Sequence, residues 1–154
     1  MRFCEMLRLG GEGPKARLLS PQTVAFMMRN HLAGDIASMG PTSFAKQPMQ
    51  GVGFGLAEAV VLNPARARTP RNIGDFGWVG MASTVFWIDL VLNASAVLFT
   101  QLVPSSSYAS RAELKALAQG AFVNGSFVAG GSVVDGLAED GFGMGVLANR
   151  TQSV

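Results

Sequence analysis

Cysteine and histidine each occur once, as Cys4 and His31, and charge is scarce, with 14% of the 154 residues being Asp, Glu, Lys or Arg. A lone cysteine cannot close an intramolecular disulfide, and a lone histidine cannot build a His-rich metal centre or supply more than one imidazole base. Disulfide scaffolds and zinc fingers are therefore excluded, and no cofactor is expected. Twelve basic side chains against ten acidic ones leave a net charge of +2. The basic residues are scattered, so the chain lacks the stripe of positive charge that a nucleic-acid partner requires. Arg2, Glu5 and Arg8 interrupt the first residues, which carry neither the apolar run nor the cleavage site of a secretory leader, and a cytoplasmic location is expected.

One stretch raises the question of a membrane. Val79 to Val103 holds a single formal charge, Asp89, and is long enough for a spanning helix, which needs about 20 apolar residues. Asp89 and Asn93 fall at its middle, where an acid costs roughly 2.5 to 3.5 kcal/mol on insertion scales. Val85-Phe86-Trp87-Ile88 and Ala96-Val97-Leu98-Phe99 are instead two short runs rich in β-branched and aromatic residues, divided by that polar pair. They predict two strands joined by a turn, and no membrane partner.

What is present fits one domain: 49% hydrophobic residues and 19 glycines in a chain of ordinary domain length. Phe3, Met6, Leu7 and Leu9 recur at helical spacing and the Gly10-Gly11 pair follows, the signature of a helix ended by a left-handed cap. Ser20-Pro21 supplies an N-cap and a first-turn proline, with Val24, Phe26, Met27 and Met28 behind, predicting a helix from Pro21 to about Asn30. His31 to Gln50, broken by Gly34, Gly40, Pro41 and Pro48, is expected to be a connector. Gly51 to Leu62 predicts a strand ended by Asn63-Pro64, and Ala65 to Asn72 an Arg-rich excursion. Further strands are expected over Asp75 to Gly80, Ser83 to Ile88 and Ala94 to Gln101. Ala112, Leu114, Leu117, Ala118 and Phe122 predict the apolar stripe of a closing helix that starts near Ser110. The order of helix, helix, antiparallel strands and helix is an α+β pattern.

Several motifs invite chemistry. Gly51, Gly53 and Gly55, and again Gly141, Gly143 and Gly145, alternate without matching either phosphate-loop pattern, and close backbone approach is the expected reading. His31 is expected to cap a helix end, and Cys4 to be a small buried hydrophobe. Ser43-Phe44-Ala45-Lys46 spells Ser-x-x-Lys, in which a lysine activates a serine hydroxyl for acyl transfer. That chemistry needs the start of a buried helix, whereas this copy lies between Pro41 and Pro48, so no nucleophile is assigned to Ser43.

The ordered set Gly53-Phe54-Gly55-Leu56, Asp75-Phe76-Gly77-Trp78-Val79-Gly80-Met81-Ala82-Ser83-Thr84, Phe86-Trp87-Ile88-Asp89 and Phe99-Thr100-Gln101-Leu102 resembles the C-terminal part of serine β-lactamase-like carboxylesterases. These esterases are related to class C β-lactamases and penicillin-binding proteins. Phe3-Cys4-Glu5-Met6-Leu7, Gly10-Gly11 and Arg17-Leu18-Leu19-Ser20-Pro21-Gln22-Thr23-Val24 are similar to the family's helix, Gly-Gly turn and next helix start. The resemblance implies part of a β-lactamase/transpeptidase-like fold, an antiparallel sheet with flanking helices. It divides the chain into residues 1–45 on the family's helical side, 46–122 as sheet and closing helix, and 123–154 as a Gly-rich tail of low order.

That family hydrolyses carboxylesters or β-lactams through an acyl-enzyme and uses three boxes: Ser-x-x-Lys, a Tyr-centred box, and a strand box of Lys-Thr-Gly or Trp-x-Gly type. Trp78-Val79-Gly80 matches the third, with Val79 where the esterases usually carry Gly. The resemblance implies that Trp78 and Gly80 shape the site and that the Met81 amide is one of two oxyanion-hole donors. The other two boxes are expected to precede Met1, and Tyr108-Ala109-Ser110 comes too late to stand in for the second. The expectation is a truncated serine hydrolase, inactive alone, acting on a small ester or β-lactam if completed. The alternative is a non-catalytic remnant or interaction module, self-associating through uncovered apolar surface.

Overall fold

Seven residues are too few for a helix to persist alone in water. Arg2–Arg8 nevertheless forms one in the computed structural model, α1, because Cys4, Met6 and Leu7 are buried beneath it. The structure describes residues 2–40, 42–44, 47–105, 107–123, 126–127 and 143–148. Gly10 and Gly11 both take positive φ, and their amides close back on the carbonyls of Leu7 (3.0 Å) and Met6 (2.7 Å), ending α1 as its sequence predicts. Helix α2, Pro21–Met27, begins under the Ser20 cap, whose hydroxyl accepts from the Thr23 amide at 3.0 Å. It stops earlier than predicted.

The connector holds a 3-10 turn, Ile36–Met39, and a small hairpin of β1, Ser43–Phe44, and β2, Gln47–Pro48. Asp35 ties it down. One carboxylate oxygen caps the 3-10 turn at the Ser38 amide (2.9 Å), and the other accepts from Gly51 N–H (2.8 Å).

The predicted strand from Gly51 to Leu62 is instead a hairpin of β3, Val52–Phe54, and β4, Ala59–Val61. Ala57 reverses the chain at φ 79°, a conformation that alanine does not advertise in sequence. The alternating glycines permit close backbone approach here: a side chain at Gly53 would meet Asn30, and one at Gly55 the Met27 carbonyl. Asn63 caps a short helix α3, Pro64–Ala67, within the Arg-rich excursion.

Strands β5 (Phe76–Val79), β6 (Val85–Asp89) and β7 (Ala94–Phe99) continue the antiparallel meander. The β6–β7 turn follows from Asp89, whose Oδ1 accepts from the Val91 and Leu92 amides, both at 2.9 Å. The polar pair that counted against a membrane span is thus the turn itself. Among the described residues no helix is long and apolar enough to cross a membrane.

Helix α4, Ser110–Gly120, follows β7, and then come a two-strand ribbon, β8 (Phe122–Val123) with β9 (Ser126–Phe127), and β10, Gly143–Ala148. Most of the tail expected to be of low order lies outside the described residues. Within it, β10 pairs along the whole of β7, giving a six-stranded sheet of order β10-β7-β6-β5-β4-β3. Period-2 alternation splits the sheet between two cores. Val60, Phe76, Ile88 and Val97 meet α1 and α2 on one face. Val85, Trp87, Ala96 and Leu98 meet Leu114 and Ala118 of α4 on the other. The fold is α+β.

Candidate functional site

The sequence points to β5 and the turn after it. Gly77 admits the β6 backbone, since a Cβ there would strike the Phe86 carbonyl. Trp78 stands edge-to-face with Phe54, ring centroids 5.1 Å apart. At Gly80 the N–H donates to the Thr84 carbonyl (2.8 Å), and any side chain would collide with the Thr84 hydroxyl. A side chain at residue 80 would have to displace the Thr84 hydroxyl, which packs against Gly80 in the Gly80–Thr84 turn.

Met81 caps that turn with its side chain 81% exposed. Among the described residues its amide donates no backbone hydrogen bond. The turn is braced from two sides. Ser83 donates to the Leu102 carbonyl (3.0 Å), and the Thr100 hydroxyl to the Ala82 carbonyl. From α4, Arg111 donates to the carbonyls of Gly80 (2.8 Å) and Ser83 (3.3 Å) and to the Ser105 hydroxyl (2.8 Å).

That role for α4 was missed in the sequence. Of the predicted stripe, Leu114 and Ala118 pack inward, but Leu117 is 73% exposed and Ala112 also faces solvent. The buried positions include Arg111 and Lys115, one helical turn apart. Their i, i+3 spacing with Leu114 and Ala118 was the available signal, but charge argued against burying that face.

A cavity of about 120 Å³ lies between the sheet, α4 and the segment after α3, lined among others by Met49, Arg68, Arg71, Trp78, Val85 and Lys115. Trp78 borders it, whereas Gly80 and Met81 do not. Arg71 is held by Asp75, its Nε 2.6 Å from Oδ2. Lys115 is buried, with its ammonium 5.8 Å from the Trp87 ring centroid, and burial pulls its pKa down to about 7.

The other candidates stay structural. Ser43 lies in β1 rather than at a helix start, and Lys46 falls outside the described residues. Ser43 thus lacks the setting that the Ser-x-x-Lys chemistry needs. His31 caps α2, its Nε2 2.9 Å from the Phe26 carbonyl. Cys4 is buried, and burial pushes its thiol pKa up, away from nucleophilic use. Among the described residues no cluster of His, Cys, Asp or Glu could hold a metal ion.

No family model matches the chain. Over 111 residues, 70% of its length, it is 32% identical to two proteins of Mycobacterium tuberculosis: Uncharacterized protein MT1414 of strain CDC 1551 / Oshkosh, and Protein Rv1367c of strain ATCC 25618 / H37Rv. It spans 27% of the length of each. Among solved structures it is similar to EstCE1, a hydrolase with promiscuous acyltransferase activity, with a TM-score of 0.55 and 28% identity over 73% of this chain and 26% of that one. The α+β sheet and its flanking helices are thus a hydrolase-like fold, matched over about a quarter of the longer protein.

Proposed function

We propose that the chain is the strand-box portion of a β-lactamase-like serine hydrolase, acting on carboxylesters or β-lactams through an acyl-enzyme. The observation that carries this reading is the Gly80–Thr84 turn. Arg111, Leu102 and Thr84 hold its backbone, and Met81 is an exposed residue beside the box whose amide donates no backbone hydrogen bond among the described residues. A fixed N–H aimed at a developing oxyanion stabilises the tetrahedral intermediate without reorganising. Trp78 walls the approach to that position, and Gly80 lets the strand end turn sharply. The attacking serine and its proton-transfer partners come from segments outside this chain, so the chain alone does not turn over ester.

Backbone and side chain at residue 81 can be separated. The chain is supplied to an EstCE1 lacking the matching quarter, and hydrolysis of a chromogenic butyrate ester is followed. Turnover is expected in the mixture and not in either part. Met81→Pro, which deletes the N–H, lowers kcat by roughly 10²- to 10³-fold, while Met81→Ala leaves it within about twofold. Equal losses in the two variants would sink the role of the amide. Turnover by this chain alone, abolished by Ser43→Ala, would overturn the reading as a whole.

The second reading, an interaction module that completes or covers another polypeptide, is favoured by large exposed apolar side chains. Phe3 and Leu9 beside α1, and Leu18 and Phe26 beside α2, are 60%, 48%, 67% and 52% exposed.

A further inference from the structure

Lys115 belongs to neither reading. It is 6% exposed, and among the described residues it forms no hydrogen bond or ion pair; its ammonium lies 5.8 Å from the Trp87 ring centroid, with Arg71, Arg111 and Asp75 in its surroundings. An ammonium on so buried a residue, with no bonded counter-charge, is costly: it either gives up its proton or is offset by an anion that enters beside it. Asp75 is already engaged by Arg71. Lys115 opens on the cavity of about 120 Å³, whose described lining includes Arg68 and Arg71 but no acidic side chain. Met49, Val52, Val79 and Val85 make the rest of the wall largely apolar. One cationic end and an apolar body specify an amphiphilic anion. For size, an enclosed cavity of roughly 150 Å³ in another protein accommodates benzene; this one is smaller but open to solvent, so it takes a chain of four to six carbons only with the chain end reaching its mouth.

We propose that this cavity is a binding site for a short-chain carboxylate, its carboxyl group held by Lys115, with Arg68 and Arg71 in the same lining, and its alkyl chain against Met49, Val52 and Val85. Trp78 borders both this cavity and the proposed acyl-transfer position, but neither Gly80 nor Met81 lines the cavity, so binding here is tested without any ester turnover. Bringing a carboxylate to Lys115 restores the charge that burial removes, and ligand and proton bind together.

Hexanoate is the probe, with hexan-1-ol as its uncharged counterpart, titrated against the whole chain and followed by tryptophan fluorescence and calorimetry. Trp87 under Lys115 and Trp78 in the wall report occupancy. Saturable binding of hexanoate is expected, at least tenfold tighter than hexan-1-ol. Lys115→Met reduces hexanoate affinity at least tenfold and leaves that of hexan-1-ol unchanged. Because Lys115→Met alters a buried position, Ala112→Trp, at an exposed α4 residue bordering the cavity, provides a second block and is expected to exclude hexanoate. Absence of hexanoate binding, equal affinity for the alcohol, or unchanged binding in both variants would overturn the proposal.

Discussion

Two of the buried ionisable side chains, Glu58 and Lys115, couple stability to pH with opposite signs. Glu58 is 6% exposed, and its Oε2 has no hydrogen-bond partner, so burial raises its pKa above the ordinary carboxylate value. The folded state then holds that proton more tightly than the unfolded chain does. Its contribution to stability is complete below about pH 4.5 and is lost as pH rises through the raised value. Lys115 faces Arg71, Arg111 and Asp75, and its pKa falls to about 7 from 10.5. Its contribution is complete above about pH 10.5 and is lost as pH falls through about 7. Between these limits both contributions are reduced, that of Glu58 as pH rises from the acid side and that of Lys115 as pH falls from the alkaline side. Urea unfolding from pH 4 to 10 is therefore expected to show a stability minimum near pH 7. Glu58→Gln should flatten the acid limb and Lys115→Met the alkaline limb, each raising stability at pH 7. At this scale the sequence was legible for His31, Cys4 and Gly80, whose types nearly determine their roles. Glu58 and Lys115 were not legible, because a charged side chain reads as solvated until packing shows otherwise.

At the scale of elements, local chemistry was a good guide wherever one residue controls a boundary. Ser20 caps α2 and Asp89 closes the β6–β7 turn, as those residue types predict. The misplaced features were the β3–β4 reversal at Ala57 and the inward face of α4. In both, tertiary contacts overrode the local signal. Gly55 N–H bonds the Glu58 carbonyl (2.7 Å) and Leu56 N–H the Met27 carbonyl (2.9 Å), stabilising a turn with no turn-type residue at its left-handed position. Arg111 turns α4 from a lid into a brace, since its guanidinium joins the helix to the Gly80–Thr84 turn. Arg111→Met keeps length and apolar volume but leaves the Gly80 carbonyl short of its strongest donor. It should cost at least about 2 kcal/mol, with an unchanged urea m-value, and speed amide hydrogen exchange over residues 80–84. Exchange unchanged in a folded variant would mean that the β-strands alone hold the turn.

For the whole molecule, the question is what covers it. Both sheet faces are covered, one by α1 and α2 and the other by α4, yet large apolar side chains of the first pair remain exposed. The chain spans 27% of each mycobacterial relative and 26% of EstCE1. Such a surface should bring copies together. Sedimentation velocity is expected to show concentration-dependent association, shifted to monomer by Phe3→Gln with Phe26→Gln on the same covered face. A monomer at every concentration would remove the apolar-surface argument for the interaction module.

The sequence by itself determined the first two helices, the strands β5 to β7, the turn at Asp89 and the structural roles of Cys4 and His31. These depend on residues near one another in the chain, where dihedral preference, capping and hydrophobic period act directly. Only the tertiary structure decided that Arg111 braces the box, that Lys115 opens unpaired on a cavity, that Glu58 is buried without a partner, and that Gly143–Ala148 joins the sheet edge. Each depends on segments distant in sequence meeting in space, and the cost or benefit of a charge is fixed only by what surrounds it there.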